Sequence, residues 1–337
     1  MIATGIFPPD IGGPAEYAKQ VAEEFRREGH KVAVLRYRLE KRLPTGVRHL
    51  LFFARALYAF ARADFVLALD QFSVGLPAVL AARLLRKKII IRTGGDFLWE
   101  SYVERTGNFV LFREFYLTSL PKLNLKERII FSLSRFTLRH ASAIVFSTEW
   151  QRDIFMQPYR LDSAKCFIVE NFYGLPDSRG VSFEQGKKIF VAGTRKLKWK
   201  NVEALRRAYS RAAEADPTIM LDTDTVPHAE FLEKIRHAYA VILVSLGDIS
   251  PNMILDAVRC GTPFILTCEC GILKRVADCA VLVDPRDEND IAEKILWFAD
   301  PVHYAEQKRK VLAFSFSHSW ADITKEFLGI YTKLCEC

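Results

Sequence analysis

Short β-branched and apolar runs alternate along this chain with longer stretches in which apolar positions recur every three to four residues. In the first half the short runs are Met1–Ile6, Lys31–Tyr37, Asp64–Leu69, Lys88–Arg92, Ala143–Ser147 and Lys165–Val169. Each is nearly continuous in apolar character and bounded by charge or turn residues, the pattern of parallel strands buried on both faces. Between the first two, Pro14 to Glu28 sets Tyr17, Val21, Ala22 and Phe25 on one face and stops at Gly29, which predicts an amphipathic helix. Strands alternating with helices in this way predict an α/β fold built on a doubly wound parallel sheet.

From Asn171 to Lys187 the periodicity lapses into Gly174, Pro176, Asp177, Gly180 and Gly186, a linker pattern. A second α/β series follows, with strand-like runs at Lys188–Ala192, Thr218–Leu221, Ala240–Val244, Pro263–Leu266 and Ala280–Val283. Trp320 to Leu334 then carries Ile323, Phe327, Ile330, Tyr331 and Leu334 on one face and predicts a closing helix. The expected organisation is a first domain over 1–172, a linker over 173–187, a second domain over 188–318 and the closing helix over 319–337.

Composition agrees with two domains: 337 residues, half of them hydrophobic, are enough for two separate cores. The most apolar region, 50–85, is broken by Arg55, Arg62, Asp64, Asp70 and Arg83, so no membrane-spanning helix is expected. Pro8, Pro9 and Asp10 arrive before any apolar stretch long enough for a secretory leader, and the expected location is cytoplasmic. Of the seven cysteines, Cys268/Cys270 and Cys335/Cys337 form C-x-C pairs without the spacing of a structural zinc site, which suits reduced thiols. The net charge of +8 is uneven: residues 1–170 hold 26 Lys and Arg against 17 Asp and Glu, whereas the remainder is nearly balanced at 22 against 23. A basic first half suits an anionic partner such as a membrane surface, a lipid phosphate or an acidic glycan, or else a solvated basic face.

Three segments carry the chemistry. In the first, Gly12 and Gly13 precede the Pro14–Glu28 helix, allowing close backbone approach to a ligand and offering helix N-terminal amides to a phosphate. The second, 191–201, places Gly193 after a strand and then Arg195 and Lys200, two cations in a strand-to-helix turn. In the third, Asp248 and Asp256 are separated by seven residues, with Ser250, Pro251, Asn252 and Met253 opening a helix between them.

In order and approximate spacing these segments resemble retaining glycosyltransferases of the GT-B fold, the large fourth glycosyltransferase family. The resemblance implies two Rossmann-like domains facing across a cleft, with the closing helix packing back on the first. It implies transfer of a sugar from a nucleotide-diphosphate sugar to a glycan or lipid-linked acceptor, the acceptor held by the first domain and the nucleotide by the second. Arg195 and Lys200 would clamp the diphosphate, Asp248 would lie beside the donor sugar, and Asp256 would accept hydrogen bonds from the ribose. No metal is expected, since the two cations take its place, and Asp222-Thr-Asp224 sits near a strand end outside the expected cleft. Neither a cofactor nor a nucleic-acid partner is expected.

The chain departs from the family pattern in two respects. Both paired acids are usually Glu, and Asp shortens each by about 1.5 Å, one C–C bond. Where many members place a His after the mid-domain strand, this chain has Ile91-Arg-Thr-Gly-Gly-Asp96, so Asp96 either takes over a contact to the transferred sugar or forms a turn. A sugar-nucleotide-binding protein without turnover is therefore an alternative. A nicotinamide-dependent oxidoreductase is disfavoured by the lack of G-x-G-x-x-G after the first strand. The aromatic and basic stretch 109–139 suits either an anionic membrane or a core with a charged outer face.

Overall fold

A computed structural model describes residues 1–10, 12–176, 186–193 and 196–336. Two compact units emerge: unit 1 is Met1–Leu98, Leu120–Phe172 and His318–Cys337, and unit 2 is Trp99–Ser119 and Tyr173–Ser317. The expected linker residues Asp177 and Gly180 lie outside the described residues.

Six short strands form the sheet of unit 1: β1 (Ile2–Thr4), β2 (Val34–Arg36), β3 (Phe65–Ala68), β4 (Lys88–Arg92), β5 (Ala143–Phe146) and β6 (Cys166–Ile168). All pair in parallel, in the order β2-β1-β3-β4-β5-β6. The helices between them are α1 (Gly13–Arg27), α2 (Thr45–Phe60), α3 (Gly75–Leu84), α4 (Phe97–Thr106), α5 (Phe112–Thr118), α6 (Leu125–His140) and α7 (Glu149–Tyr159). α5 lies wholly in unit 2, and α4 runs into it from Trp99 onward. Tyr17, Val21, Ala22 and Phe25 of α1 are buried on the sheet, as the 3.6-residue period requires.

Unit 2 contains β7 (Lys188–Val191), α8 (Val202–Ala215), β8 (Ile219–Asp222), α9 (His228–His237), β9 (Ala240–Leu243) and α10 (Asn252–Cys260). After these come β10 (Phe264–Thr267), α11 (Leu273–Val276), β11 (Ala280–Val283), α12 (Glu288–Ala299) and α13 (Pro301–Leu312). Its parallel sheet runs β11-β10-β9-β7-β8. Separate apolar clusters cover the two faces, one around Ile235, Ile254 and Phe264 and the other around Leu205, Ile242 and Phe298.

The last helix, α14 (Trp320–Glu336), belongs to unit 1 and packs on α1. Its Ile323, Phe327 and Ile330 are buried, Trp320 stacks on Phe172 at 5.1 Å, and Tyr331 stacks on Phe65 at 4.5 Å. No helix among the described residues is long and apolar enough to cross a membrane.

In each sheet the strand order reverses between the unit's first and third strands, β1 and β3 in unit 1 and β7 and β9 in unit 2. At such a point the loops leaving the carboxyl ends of two neighbouring strands diverge to opposite faces, which opens a crevice for ligands. The Gly12–Gly13 turn leaves one such point, and the 191–201 and 244–256 segments leave the other.

One ion pair at the far edge of unit 2 sets a pH dependence. The Asp216 carboxylate is held at a pKa of about 2 by the hydrogen bond from Lys188 Nζ at 2.7 Å, with further donation from the Thr218 hydroxyl and amide. Because the folded-state pKa is depressed, the contribution is complete above about pH 4 and is lost as pH falls towards 2. Asp216→Asn is expected to lower the Tm at pH 7, with the difference from the wild type closing by pH 2. A constant offset across that range would refute this assignment.

Candidate functional site

The second reversal point is held together by backbone geometry. Gly193, just past β7, lies so close to Phe231 and to the Asp224 carbonyl oxygen, 2.8 Å from where a Cβ would sit, that no side chain fits. Thr194 and Arg195 lie outside the described residues. The loop then tightens at Asn201, whose φ of 58° is left-handed, and its amide donates to the Val244 and Pro285 carbonyls at 3.2 and 2.6 Å. A further bond from Leu246 N–H to the Trp199 carbonyl, 2.9 Å, ties the loop after β7 to the loop after β9.

These ties bring Lys200 and Asp248 together. Lys200 Nζ donates to Asp248 Oδ2 at 2.5 Å, with both side chains largely buried. Asp248 is fixed in turn by its own backbone, donating to the Glu269 carbonyl and accepting from Gly271 N–H, each at 2.9 Å. Two residues on, the Ser250 hydroxyl is buried with no hydrogen-bond partner among the described residues. Pro251 precedes α10 and offers no side-chain cap, and among the described residues no backbone hydrogen bond uses the Asn252 or Met253 N–H groups, the first amides of the helix. Asp248 thus has a lysine in contact with it and, two to four residues on, an unpartnered hydroxyl and an uncapped helix N-terminus, groups that can receive an anion such as a phosphate.

Asp256, on the second turn of α10, accepts or shares a proton with His228 Nε2 at 2.9 Å, and His228 stands exposed at the start of α9. Sequence reasoning missed this partner, because a lone His after Pro227 carries no periodic signal. It also missed Glu269, a fully buried carboxylate that pairs with Arg113 while its Oε2 has no partner among the described residues. Burial pushes the Glu269 carboxyl above its ordinary range, with the Arg113 guanidinium opposing. A carboxylate directly after the apolar run Phe264–Thr267, between two cysteines, was the available clue.

Arg113 lies in the segment 99–119, which reaches the loops of unit 2 at four places. Glu104 accepts from Lys198 N–H at 2.6 Å, Phe112 N–H donates to the Leu246 carbonyl at 3.1 Å, Arg113 pairs with Glu269, and Glu114 with Arg286 at 3.2 Å. Gly247 permits the closest of these approaches, since a Cβ there would collide with Phe112 and stand 3.2 Å from the Trp99 ring. Asp222 and Asp224, the D-x-D pair, both reach Lys234, at 2.7 and 3.5 Å.

The remaining expected site residues lie in unit 1. Gly12 has φ 142°, a conformation other residues rarely adopt, and the Gly13 N–H that opens α1 has no partner among the described residues. Asp96 is buried, and its Oδ1 accepts from Leu98 N–H at 2.9 Å, which places it as a turn-forming cap at the start of α4. In the stretch 109–139, Phe112, Phe115, Tyr116 and Phe131 are core, while Leu117, Leu125 and Ile129 are exposed. The stretch is divided between the units at Ser119.

Searches with family models and against curated proteins give no match for this chain. Solved structures do match. The chain is similar to a sucrose-phosphate synthase from Thermosynechococcus elongatus, at 12% identity, 99% coverage of each chain and a TM-score of 0.69. It is similar to HepE from Anabaena, solved in complex with UDP, at 11% identity, 98% coverage of this chain and 99% of that one, and a TM-score of 0.68. WaaG, a glycosyltransferase involved in lipopolysaccharide biosynthesis, matches at 12% identity over 98% and 100%, with a TM-score of 0.69. The chain has the α/β fold of the GT-B glycosyltransferases, with two parallel sheets.

Proposed function

We propose that this chain is a retaining, metal-independent glycosyltransferase that moves a sugar from a nucleotide-diphosphate sugar to a glycan or lipid-linked acceptor in cell-envelope or polysaccharide synthesis. The observation that carries the proposal is the meeting of Lys200 and Asp248 beside the uncapped start of α10, at the reversal point of a parallel sheet. In this reading Lys200 and Arg195 take the charge of the departing diphosphate, and the Asn252 and Met253 amides with the Ser250 hydroxyl bind its oxygens. Asp256 and His228 meet the ribose, and Asp248 takes a donor-sugar hydroxyl once Lys200 turns to the phosphate. With cations already on the leaving group, its oxygen can accept the proton of the incoming hydroxyl on the same face, which retains configuration. Unit 2 thus takes the donor and unit 1 the acceptor.

Support for UDP as the nucleotide to test first comes from HepE, solved with UDP and with UDP-glucose. Contact with an anionic membrane is part of the same proposal. α2 has no acidic residue and exposes Leu50 and Tyr58 at 71% and 80%, and the adjoining α3 exposes Leu80 and Leu84 beside Arg83 and Arg86. The cytoplasmic side is where nucleotide sugars would be met.

UDP is expected to raise the Tm, because a ligand bound only by the native state stabilises it by mass action. The check is a thermal-shift series with UDP-, GDP- and ADP-sugars, and silence with all three would end the proposal. The engagement of Asp96 as a helix cap favours a second reading, nucleotide-sugar binding without turnover. Transfer of radiolabelled sugar to extracted lipids or glycans separates the two.

A further inference from the structure

Several of the deeply buried charged side chains among the described residues have a counter-charge. Glu40 is paired with Arg55, Arg236 with Glu233 and Glu269 with Arg113. Arg92 differs. It is 7% exposed at the carboxyl end of β4, and among the described residues its hydrogen bonds and ring contact are with neutral groups. Nη2 donates to the Ser147 hydroxyl at 3.1 Å and to Asn171 Oδ1 at 2.6 Å, and the guanidinium lies 3.8 Å from the centroid of the Tyr17 ring. Among the described residues its Nε has no hydrogen-bond partner, nor has the buried Tyr17 hydroxyl, which feels both the Arg92 charge and that of the Glu326 carboxylate.

A guanidinium never loses its charge, so one held by neutral groups carries a desolvation cost that its tethers only partly offset. Ser147 and Asn171 follow β5 and β6, so three neighbouring strands deliver their loop residues to one place at the carboxyl edge of the sheet. Tyr17 is one turn beyond Gly13, whose N–H also has no partner among the described residues. A cation held rigidly by neutral tethers, with donors to spare beside it, is the arrangement that receives an oxyanion.

We propose that Arg92 anchors an oxyanion, phosphate or carboxylate, carried by the acceptor. Tyr17 fixes the plane of the guanidinium and adds its hydroxyl, and the Gly13 amide supplies a further donor. This names an acceptor class within the transferase reading and rests on that reading for the word acceptor, but the anion site is testable without any transfer.

The test is thermal shift and calorimetric titration of the full chain with inorganic phosphate, glycerol 3-phosphate and glucuronate at matched ionic strength, using sodium chloride as the control. At least one oxyanion is expected to raise the Tm above the chloride control, and which one does so distinguishes phosphate from carboxylate. Arg92→Gln is expected to abolish that response. Arg92→Lys, which keeps the charge and should fold even where the Gln variant does not, is expected to weaken binding at least about tenfold by losing the fork. UDP should stabilise Arg92→Lys as it does the wild type, so a missing UDP response counts against the donor reading alone. No response of the wild type to any oxyanion, or an unaltered affinity in Arg92→Lys, overturns the proposal.

Discussion

Lys200→Ala is expected to lower kcat/KM for the preferred nucleotide sugar by about 100- to 1,000-fold, most of it in kcat. The reason is the timing of the charge. A nucleoside diphosphate bears more negative charge on its bridging side as the sugar departs, so a cation placed there binds the transition state more tightly than the ground state. In the structure the ammonium stands in contact with Asp248, in a loop pinned by Asn201 and by the 199–246 backbone bond. Its loop is thus in place before any ligand arrives, and the side chain has only to turn from Asp248 to the phosphate as the donor binds. Lys200→Arg should retain more of the rate, because it keeps the charge while altering its reach. Steady-state kinetics alongside a melting curve separates lost chemistry from lost folding, and an alanine variant within threefold of the wild type would remove Lys200 from the mechanism.

Phe112→Ala is expected to destabilise unit 2 by about 3–5 kcal/mol, the range for removing a fully buried phenyl ring. For a unit of this size that corresponds to a fall in Tm of about 10 °C. The ring packs on Trp99 at 5.1 Å, the Cβ lies over Gly247, and the backbone N–H holds the Leu246 carbonyl. The residue therefore secures the turn immediately before Asp248. UDP binding should weaken along with stability, since both depend on that turn. Differential scanning calorimetry checks the first effect and titration with UDP the second. A loss below about 1 kcal/mol would mean that 99–119 merely rests against unit 2.

Most of the scaffold was legible in the sequence, and the particular strands show why. Lys88–Arg92 was expected and observed with the same limits, because a parallel strand buried on both faces must be apolar throughout and ends where charge begins. The opening run was read as Met1–Ile6 but pairs only over Ile2–Thr4. Gly5 and Ile6 already belong to the turn, a boundary set by where the neighbouring strands stop. The closing helix was legible from its period, and its attachment to α1 follows from the matching apolar faces of the two helices.

The candidate site was legible only in part. Spacing singled out Lys200 and Asp248, yet nothing in the chain shows that residues 48 apart are in contact. His228 and Glu269 escaped notice because a single polar residue has no period, and their roles exist only through Asp256 and Arg113. Likewise, Arg92 read as the charged end of a strand until its neutral surroundings were seen.

By itself the sequence determined what repeats: which runs are buried, where helices begin, how many sheets form and where glycines and cations interrupt the pattern. These follow from local preference and burial, which each segment carries on its own. Tertiary structure alone decided that 99–119 joins the second unit, that Asp256 has a histidine beside it, and that a buried arginine is tethered by neutral groups. Those facts depend on pairings between segments far apart in the chain, and a pairing energy is a property of two places at once.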